Sequence, residues 1–278
     1  MLVTSLLALL LVLQDYNVPF NPPASSVDTA CEDCAWCFSF ENDTPPNTGA
    51  DYTPDTGAGE LSTGEDDGTL TFVSEMDASV TEAVKIGTYG AYTDSDANAS
   101  DALVPISSGA TETGWLSLGQ TSFWWKFGVG ASTCPDGVIF WTGRVGTTPR
   151  IKTEIDTTSG FDVLISISDG TDTASTTCDL NLSEDTWYFV WVQWDVTTLN
   201  GIRLRVYNDA GTQVGSTCEA TNASLDAMPA NTDDWGFGWV TGGTWASGSE
   251  CFTYIDSYKQ ATTLDDNLYD LRNVETCP

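Results

Sequence analysis

No histidine occurs in the 278 residues, and only nine residues are basic. The first absence removes a Ser-His-Asp triad, a Cys-His pair and any zinc site built on imidazole. Catalysis would then fall to carboxylates, Cys, Lys or Tyr. The second absence is as restrictive. Forty acidic residues leave a formal charge of −31 and a pI near 4.1. Nucleic acid and anionic membrane surfaces both require a basic footprint, so both are excluded as partners. Such acidity suits a saline setting or capture of divalent cations, and it also serves solubility alone. Long apolar runs are scarce. Residues 2–13 (LVTSLLALLLVL) form one, but a spanning helix needs about 20 residues.

That run fits the core of a signal peptide by length, yet no Lys or Arg precedes it and no clear small-x-small site follows. Two readings stand. It is a signal that is removed, or it is a retained apolar arm. A retained arm needs a groove on a neighbour, because exposed apolar stretches of this length are rare. Self-association, or docking on a virion or filament, supplies such a groove. Residues 1–34 are therefore read as an apolar segment plus an arm with Pro19, Pro22 and Pro23, and residues 35–278 as one domain.

What is present is strand and turn. Alternation marks 123–129 (FWWKFGV), with Phe123, Trp125, Phe127 and Val129 on one face, and 161–168 (FDVLISIS), with Phe161, Val163, Ile165 and Ile167 on one face. Residues 202–207 (IRLRVY) put Ile202, Leu204 and Val206 inward and Arg203, Arg205 and Tyr207 outward. Residues 187–194 (WYFVWVQW) are apolar on both faces except for Gln193, which predicts a central strand buried on both sides. Further strands are expected at 35–41, 69–73, 83–86, 102–106, 138–142, 212–216, 237–240 and 252–258, with turns at Asp169-Gly170 and Asp209-Ala210-Gly211. The pattern predicts an all-β, two-sheet antiparallel sandwich.

Eight cysteines favour disulfides in an oxidising, extracellular setting. Cys178 and Cys218 are placed to bridge neighbouring strand edges. Cys251 and Cys277 flank the last strand and the tail, where a bridge would tether the C-terminus. The cluster Cys31-x-x-Cys34-x-x-Cys37 is open to a second reading as a metal site, which would need a fourth ligand from elsewhere.

The order of several motifs resembles the concanavalin A-like lectin/glucanase superfamily, in its laminin G-like branch. Asp-Thr-Trp-Tyr at 185–188 opens a hydrophobic strand ending in Trp194-Asp195; Asn200-Gly201 leads into IRLRVYNDAG; and 252–271 (FTYIDSYKQATTLDDNLYDL) matches the closing strand with its Ile-Asp. The opening Phe38-Ser39-Phe40-Glu41 and the strand at 122–127 fall in the family's order as well. The resemblance covers residues 35–273 and implies a jelly roll that binds glycans or proteins on its concave face or loops. It also implies a structural Ca²⁺ between the first and last strands, by position at Glu41 and Asp256 with Asn42. Laminarinase-like members of the superfamily carry Glu-x-Asp-x-x-Glu, with the first Glu as nucleophile and the last as acid/base. Here Glu154 and Asp156 match, but Ser159 stands at the acid/base position and cannot protonate a leaving group at neutral pH.

Eleven tryptophans are many for this length. Trp125, Trp187, Trp191 and Trp194 belong in the core. Trp141, near Arg144, and Trp245, in GGTWASG, are candidates for stacking on sugar, with core or loop packing as the alternative. The sequence therefore predicts a non-enzymatic, surface-exposed domain, either a decoration or adhesion component of a virion or extracellular assembly or a secreted lectin-like protein. Its expected partner is a glycan or cell-surface receptor.

Overall fold

Alternating side chains build two sheets, and the faces that alternation makes apolar meet between them. The computed structural model describes residues 34–38, 60–61, 70–74, 84–86, 89–96, 106–107, 115–128, 134, 136–145, 148–228, 233–236, 239–240, 250–264 and 267–273. Their strands are β1 (Cys34–Phe38), β2 (Glu60–Leu61), β3 (Leu70–Ser74), β4 (Tyr89–Asp96), β5 (Ile106–Ser107), β6 (Leu118–Phe127), β7 (Val138–Val145) and β8 (Thr148–Asp156). There follow β9 (Phe161–Ser168), β10 (Thr173–Leu182), β11 (Tyr188–Asp195), β12 (Gly201–Asn208), β13 (Gln213–Thr221), β14 (Asp233–Gly236), β15 (Trp239–Val240) and β16 (Glu250–Ala261). Among the described residues the helical content is one 3₁₀ turn, Trp115–Ser117.

An eight-stranded sheet runs β13-β12-β11-β6-β16-β4-β3, with β1 also on β16. A six-stranded sheet runs β10-β9-β8-β7-β14, with β15 also on β7. All the pairings are antiparallel. The expected all-β two-sheet sandwich is the observed one.

The core lies between the sheets. Phe123, Trp125 and Phe127 of β6, Val190, Val192 and Trp194 of β11, and Ile202, Leu204 and Val206 of β12 face Val138, Phe140 and Trp141 of β7, Ile151 and Ile155 of β8, and Val163, Ile165 and Ile167 of β9. Trp125 stacks on Phe140 at 4.0 Å, and Trp141 lies 5.4 Å from Trp194. Full burial of one such side chain contributes about 1.5–3 kcal/mol, so this interlayer dominates stability. Strand β11 is buried along its whole length, as its two apolar faces predict.

Several expectations are corrected. Residues 84–86 are not a strand; the chain pairs at β4 instead, where Gly90, Ser95 and two aspartates, Asp94 and Asp96, weaken the sequence signal. Of the strand expected at 237–240, residues 239–240 form β15, and a further strand not anticipated, β14, precedes it at 233–236; both pair with β7. Strand β10 was not anticipated, because its inward residues Ala174, Cys178, Leu180 and Leu182 are diluted by Ser and Thr. Residues 1–33, which include most of the expected arm, lie outside the described residues.

Two disulfides span the layers. Cys178–Cys218 joins β10 to β13, the outer strands of the two sheets on one side, as expected. Cys251 pairs with Cys134, not with Cys277, because β16 carries Cys251 inward beside the segment leading to β7. Cys277 lies outside the described residues. Cys34 and Cys37 are also disulfide-bonded, which removes the thiolate metal reading of that cluster.

The Cys178–Cys218 bridge closes a loop with a sequence separation of 40. Replacing both cysteines by alanine is expected to lower unfolding free energy by about 4 kcal/mol, from the lost constraint on the unfolded chain. Urea denaturation of the variant measures this directly; an unchanged midpoint would mean the sandwich side closes without the bridge.

Candidate functional site

Side chains of β6, β11, β12 and β16 that do not enter the core point to the opposite face of the larger sheet. One half of that face is apolar. Trp124, Trp187, Phe189, Trp191 and Tyr254 pack there with Leu268 and Leu271 of the C-terminal turn. Trp124 Nε1 donates to the Arg272 carbonyl (2.6 Å), and Tyr269 Oη donates to the Gly211 carbonyl (2.7 Å). Gly211 has φ +76°, and a Cβ there would come within 2.9 Å of Tyr269 Oη, so the β12–β13 turn needs glycine both for its conformation and to seat this tyrosine.

The other half is polar and built in cross-strand rows. One row is Arg203–Gln193–Gln120. The next is Arg205–Trp191–Ser122–Lys259. Gln120 Oε1 accepts from Trp191 Nε1 (3.0 Å), and Gln120 Nε2 donates to the Thr263 carbonyl (3.0 Å). Arg205 Nη1 donates to Gln193 Oε1 (3.1 Å), its Nε donates to Thr217 Oγ1 (3.2 Å), and its guanidinium lies 5.4 Å from the Trp191 ring centroid. Arg203 pairs with Glu219 at 2.7 Å, and Lys259 Nζ donates to Ser257 Oγ (2.7 Å). Burial, with Arg203 beside it, pushes the Arg205 guanidinium down to about 10, so it remains a cation at neutral pH. Guanidinium, amide and hydroxyl groups held in fixed planes can read hydroxyls and oxyanions.

The predicted site residues are distributed otherwise. Trp141 is fully buried, with Nε1 donating to Tyr258 Oη (3.3 Å), so it offers no face to a ligand. It is inside because a bulge in β7 between Ile139 and Trp141 turns it toward the core. Arg144 is half-buried, in register with Asp234 of β14, and shares no surface with Trp141. Trp245, Glu41 and Asn42 lie outside the described residues.

Asp256 is buried at the β16 bulge, next to Ser257 with φ 49°. Here β4 and β1 divide one edge of β16 between them. Asp256 Oδ2 accepts from the backbone N–H groups of Lys85 and Ile86, both at 2.8 Å. Two N–H donors aimed at one carboxylate oxygen fit a backbone anchor better than a Ca²⁺ ligand, which would meet the same donors. Among the described residues no cluster of three or more His, Cys, Asp or Glu could hold a metal.

Glu154 and Asp156 do share the outward face of β8, beside Arg150 and Lys152. Glu154 is ion-paired with Lys152. Asp156 accepts from Thr158 N and Thr177 Oγ1, both at 2.9 Å, and these hydrogen bonds hold its carboxyl below the usual range. A general acid requires the opposite shift. Ser159 Oγ donates to Asp162 Oδ2 (2.9 Å) and serves the turn.

The larger-sheet face is the part that sequence reasoning did not single out. Arg203 and Arg205 were read as outward, but β11 and β12 are joined by a hairpin whereas β6 arrives from far along the chain, so the meeting of Arg205, Trp191 and Gln120 was not visible.

The architecture defines a class, an all-β two-sheet sandwich of the kind found in β-rich binding domains. No family model matches the chain, and no curated protein matches it. Among solved structures it is similar to the botulinum neurotoxin serotype C1 binding domain, at 10% identity and TM-score 0.51, over 88% of this chain and 52% of that one. It is also similar to the crystal structure named HCR/D-Sa-GBL1/C, at 9% identity and TM-score 0.53, over 90% of this chain and 53% of that one. The chain thus spans about half the length of the structures it matches. At such identity the likeness is one of fold.

The carboxylates predict an acid-sensitive fold. Asp169 is held low by N–H groups of Asp226, Asp172 and Thr171; in Asp162 and Asp195 burial raises the pKa, but hydrogen bonds from Asn181, Leu180 and Ser159, and from Thr198 and Thr197, outweigh it. A folded pKa below the unfolded one contributes stability above the unfolded pKa, about 3.9, that is lost as pH falls through the folded value. Glu184 runs the other way, since burial raises it and protonation relieves that cost. With four lowered groups against one, the melting temperature is expected to hold from neutral pH to about 5 and to fall steeply below about 4. A flat acid limb in a calorimetric pH series would show that these bonds persist in the unfolded chain.

Proposed function

We propose that this chain is a non-enzymatic, extracellular module of the laminin G-like, concanavalin A-like type that recognises glycan with the outer face of its larger sheet. The observation that carries the reading is the hydrogen-bonded run from the Thr263 carbonyl through Gln120, and from Gln193 through Arg205 to Thr217, laid beside Trp191. It crosses four strands and ends at an exposed threonine on an outer strand. Gln120, Gln193 and Trp191 are buried and aim the partly exposed Arg205 and the exposed Thr217, whose guanidinium and hydroxyl groups are of the kind that sugar hydroxyls bind. The two layer-spanning disulfides support an oxidising, extracellular setting. The serotype C1 structure that shares the fold is itself named a binding domain.

Against catalysis stand the ion pair on Glu154, the lowered Asp156 and the serine at 159. The intact protein is expected to bind a subset of an immobilised glycan panel and to release no reducing sugar from β-glucans. Retention of no glycan by folded protein removes the reading. Sugar release that Glu154→Gln abolishes replaces it with a hydrolase.

Structural calcium at Glu41, Asn42 and Asp256 is a separate proposal, which the family resemblance alone supports. Melts in chelator with high sodium and in millimolar calcium decide it. A higher midpoint in calcium, lost in Asp256→Ala, establishes the ion, and coincident curves leave Asp256 as a backbone anchor.

A further inference from the structure

We propose that Asn181 and Asn222 are acceptor sites for N-linked oligosaccharide, and that the two chains cover the side of the sandwich on which both sheets end. This rests on the extracellular setting and is independent of what the face of the larger sheet binds.

The first ground is sequence. Asn-x-Ser/Thr with x other than Pro begins at Asn42, Asn98, Asn181 and Asn222. Asn42 and Asn98 lie outside the described residues, whereas Asn181-Leu182-Ser183 and Asn222-Ala223-Ser224 lie within them.

The second ground is placement. Asn181 stands near the end of β10, and Asn222 directly follows β13. These are the outer strands of the smaller and the larger sheet, and Cys178–Cys218 joins them. Asn222 Nδ2 donates to the carbonyl of Thr173, the first residue of β10 (3.1 Å). The two asparagines therefore mark opposite ends of β10, about 26 Å apart at about 3.3 Å per residue.

The third ground is the state of the side chains. Asn181, Ser183, Ala223 and Ser224 are exposed, and Asn222 is half-buried. Asn181 has φ 49° where β10 shifts its register on β9, and its Nδ2 donates to Asp179 Oδ1 (2.6 Å). The two serines serve the fold through backbone N–H groups: Ser183 N donates to Tyr188 Oη (2.9 Å) and Ser224 N to Asn222 Oδ1 (3.0 Å). Their hydroxyls stand outside these bonds.

The donor for the transfer is a lipid-linked oligosaccharide diphosphate. A bond forms from Asn Nδ2 to the anomeric carbon of the sugar. The C1–O bond breaks, the diphosphate leaves with that electron pair, and one amide proton passes to the transferase. One N–H remains on each asparagine, enough to keep the bonds to Asp179 and Thr173.

The edge strands explain what such chains would do. β10 is 10 residues long, contains no Lys or Pro, and has Asp179 as its one charge. A long outer strand without these devices is a template for pairing with another chain. β13 is bent by a bulge around Gly215, φ +64°, but β10 shifts register only at its far end, beside Asn181. A bulky, hydrated chain at each end of β10 blocks the approach of a second strand.

The test is secretion of the full chain from eukaryotic cells, behind a supplied signal, followed by peptide mass mapping. Both asparagines should carry oligosaccharide, and an amidase specific for N-linked chains should leave aspartate at 181 and 222. Ser183→Ala and Ser224→Ala should each lose one chain, because each removes the hydroxyl of the acceptor sequence and keeps the backbone bond. Made without glycan in an oxidising bacterial periplasm, both variants should melt with the parent, which separates the acceptor role from a structural one. From eukaryotic cells, the double variant should self-associate at lower concentration than the glycosylated parent, as read by light scattering. Equal association overturns the covering role. An unmodified asparagine at either position in secreted protein overturns that site, whatever a glycan panel shows for the larger sheet.

Discussion

Burial of the larger sheet on both of its faces is the constraint on which the rest of this structure depends. β11 has no exposed residue, and β6 is buried over all but its first. One face closes the core against the smaller sheet; the other needs its own cover. The C-terminal turn supplies part of that cover with Leu268, Leu271 and Tyr269, and the segment around Lys85 supplies another part, held by Asp256. A sandwich with a third, partial layer results; in the polar rows Gln120, Ser122, Trp191, Gln193 and Lys259 are buried, and Arg203 and Arg205 are the partly exposed ends.

Charge follows from the same arrangement. A chain this acidic opposes its own compaction. Its aspartates are put to use where the backbone needs acceptors: Asp162 takes two N–H groups of β10, Asp169 takes N–H groups from its own turn and from Asp226, and Asp195 caps the turn after β11. Carboxylates employed in this way stay ionised, and the fold loses support when they are protonated. The scarce cations, by contrast, sit over aromatic rings: Lys85 over Trp124, Lys126 over Trp187, Arg205 over Trp191 and Arg272 over Tyr269. Cation–π contact of this kind is worth about 0.5–2 kcal/mol according to exposure, which gives these residues a packing role in addition to any contact with a ligand.

Much of this was legible before any coordinates. Period-two alternation located β9 exactly and β11, β12 and β16 to within a few residues, because strands with one or two apolar faces carry their own record of burial. Asp169-Gly170 and Asp209-Ala210-Gly211 marked the turns because few residues adopt positive φ. The strand signal failed where inward positions are small or polar, as in β10, and where Gly, Ser and Asp interrupt the apolar residues of the sequence, as in β4.

Local sequence by itself determined the all-β class, the double burial of β11, the inward triad Ile202, Leu204 and Val206, and the absence of imidazole chemistry. Tertiary structure decided that Trp141 is buried, which cysteines meet and which polar groups share a surface. Trp141 went inward through a one-residue bulge, and a shift of one residue moves a side chain to the other side of a sheet. Cys251 met Cys134 across a separation of 117, and Arg205, Trp191, Gln120 and Lys259 met through three different pairings. Contacts between strands distant in sequence depend on sheet order, and that order follows from how the apolar faces of the whole chain can be buried together, which no single segment encodes.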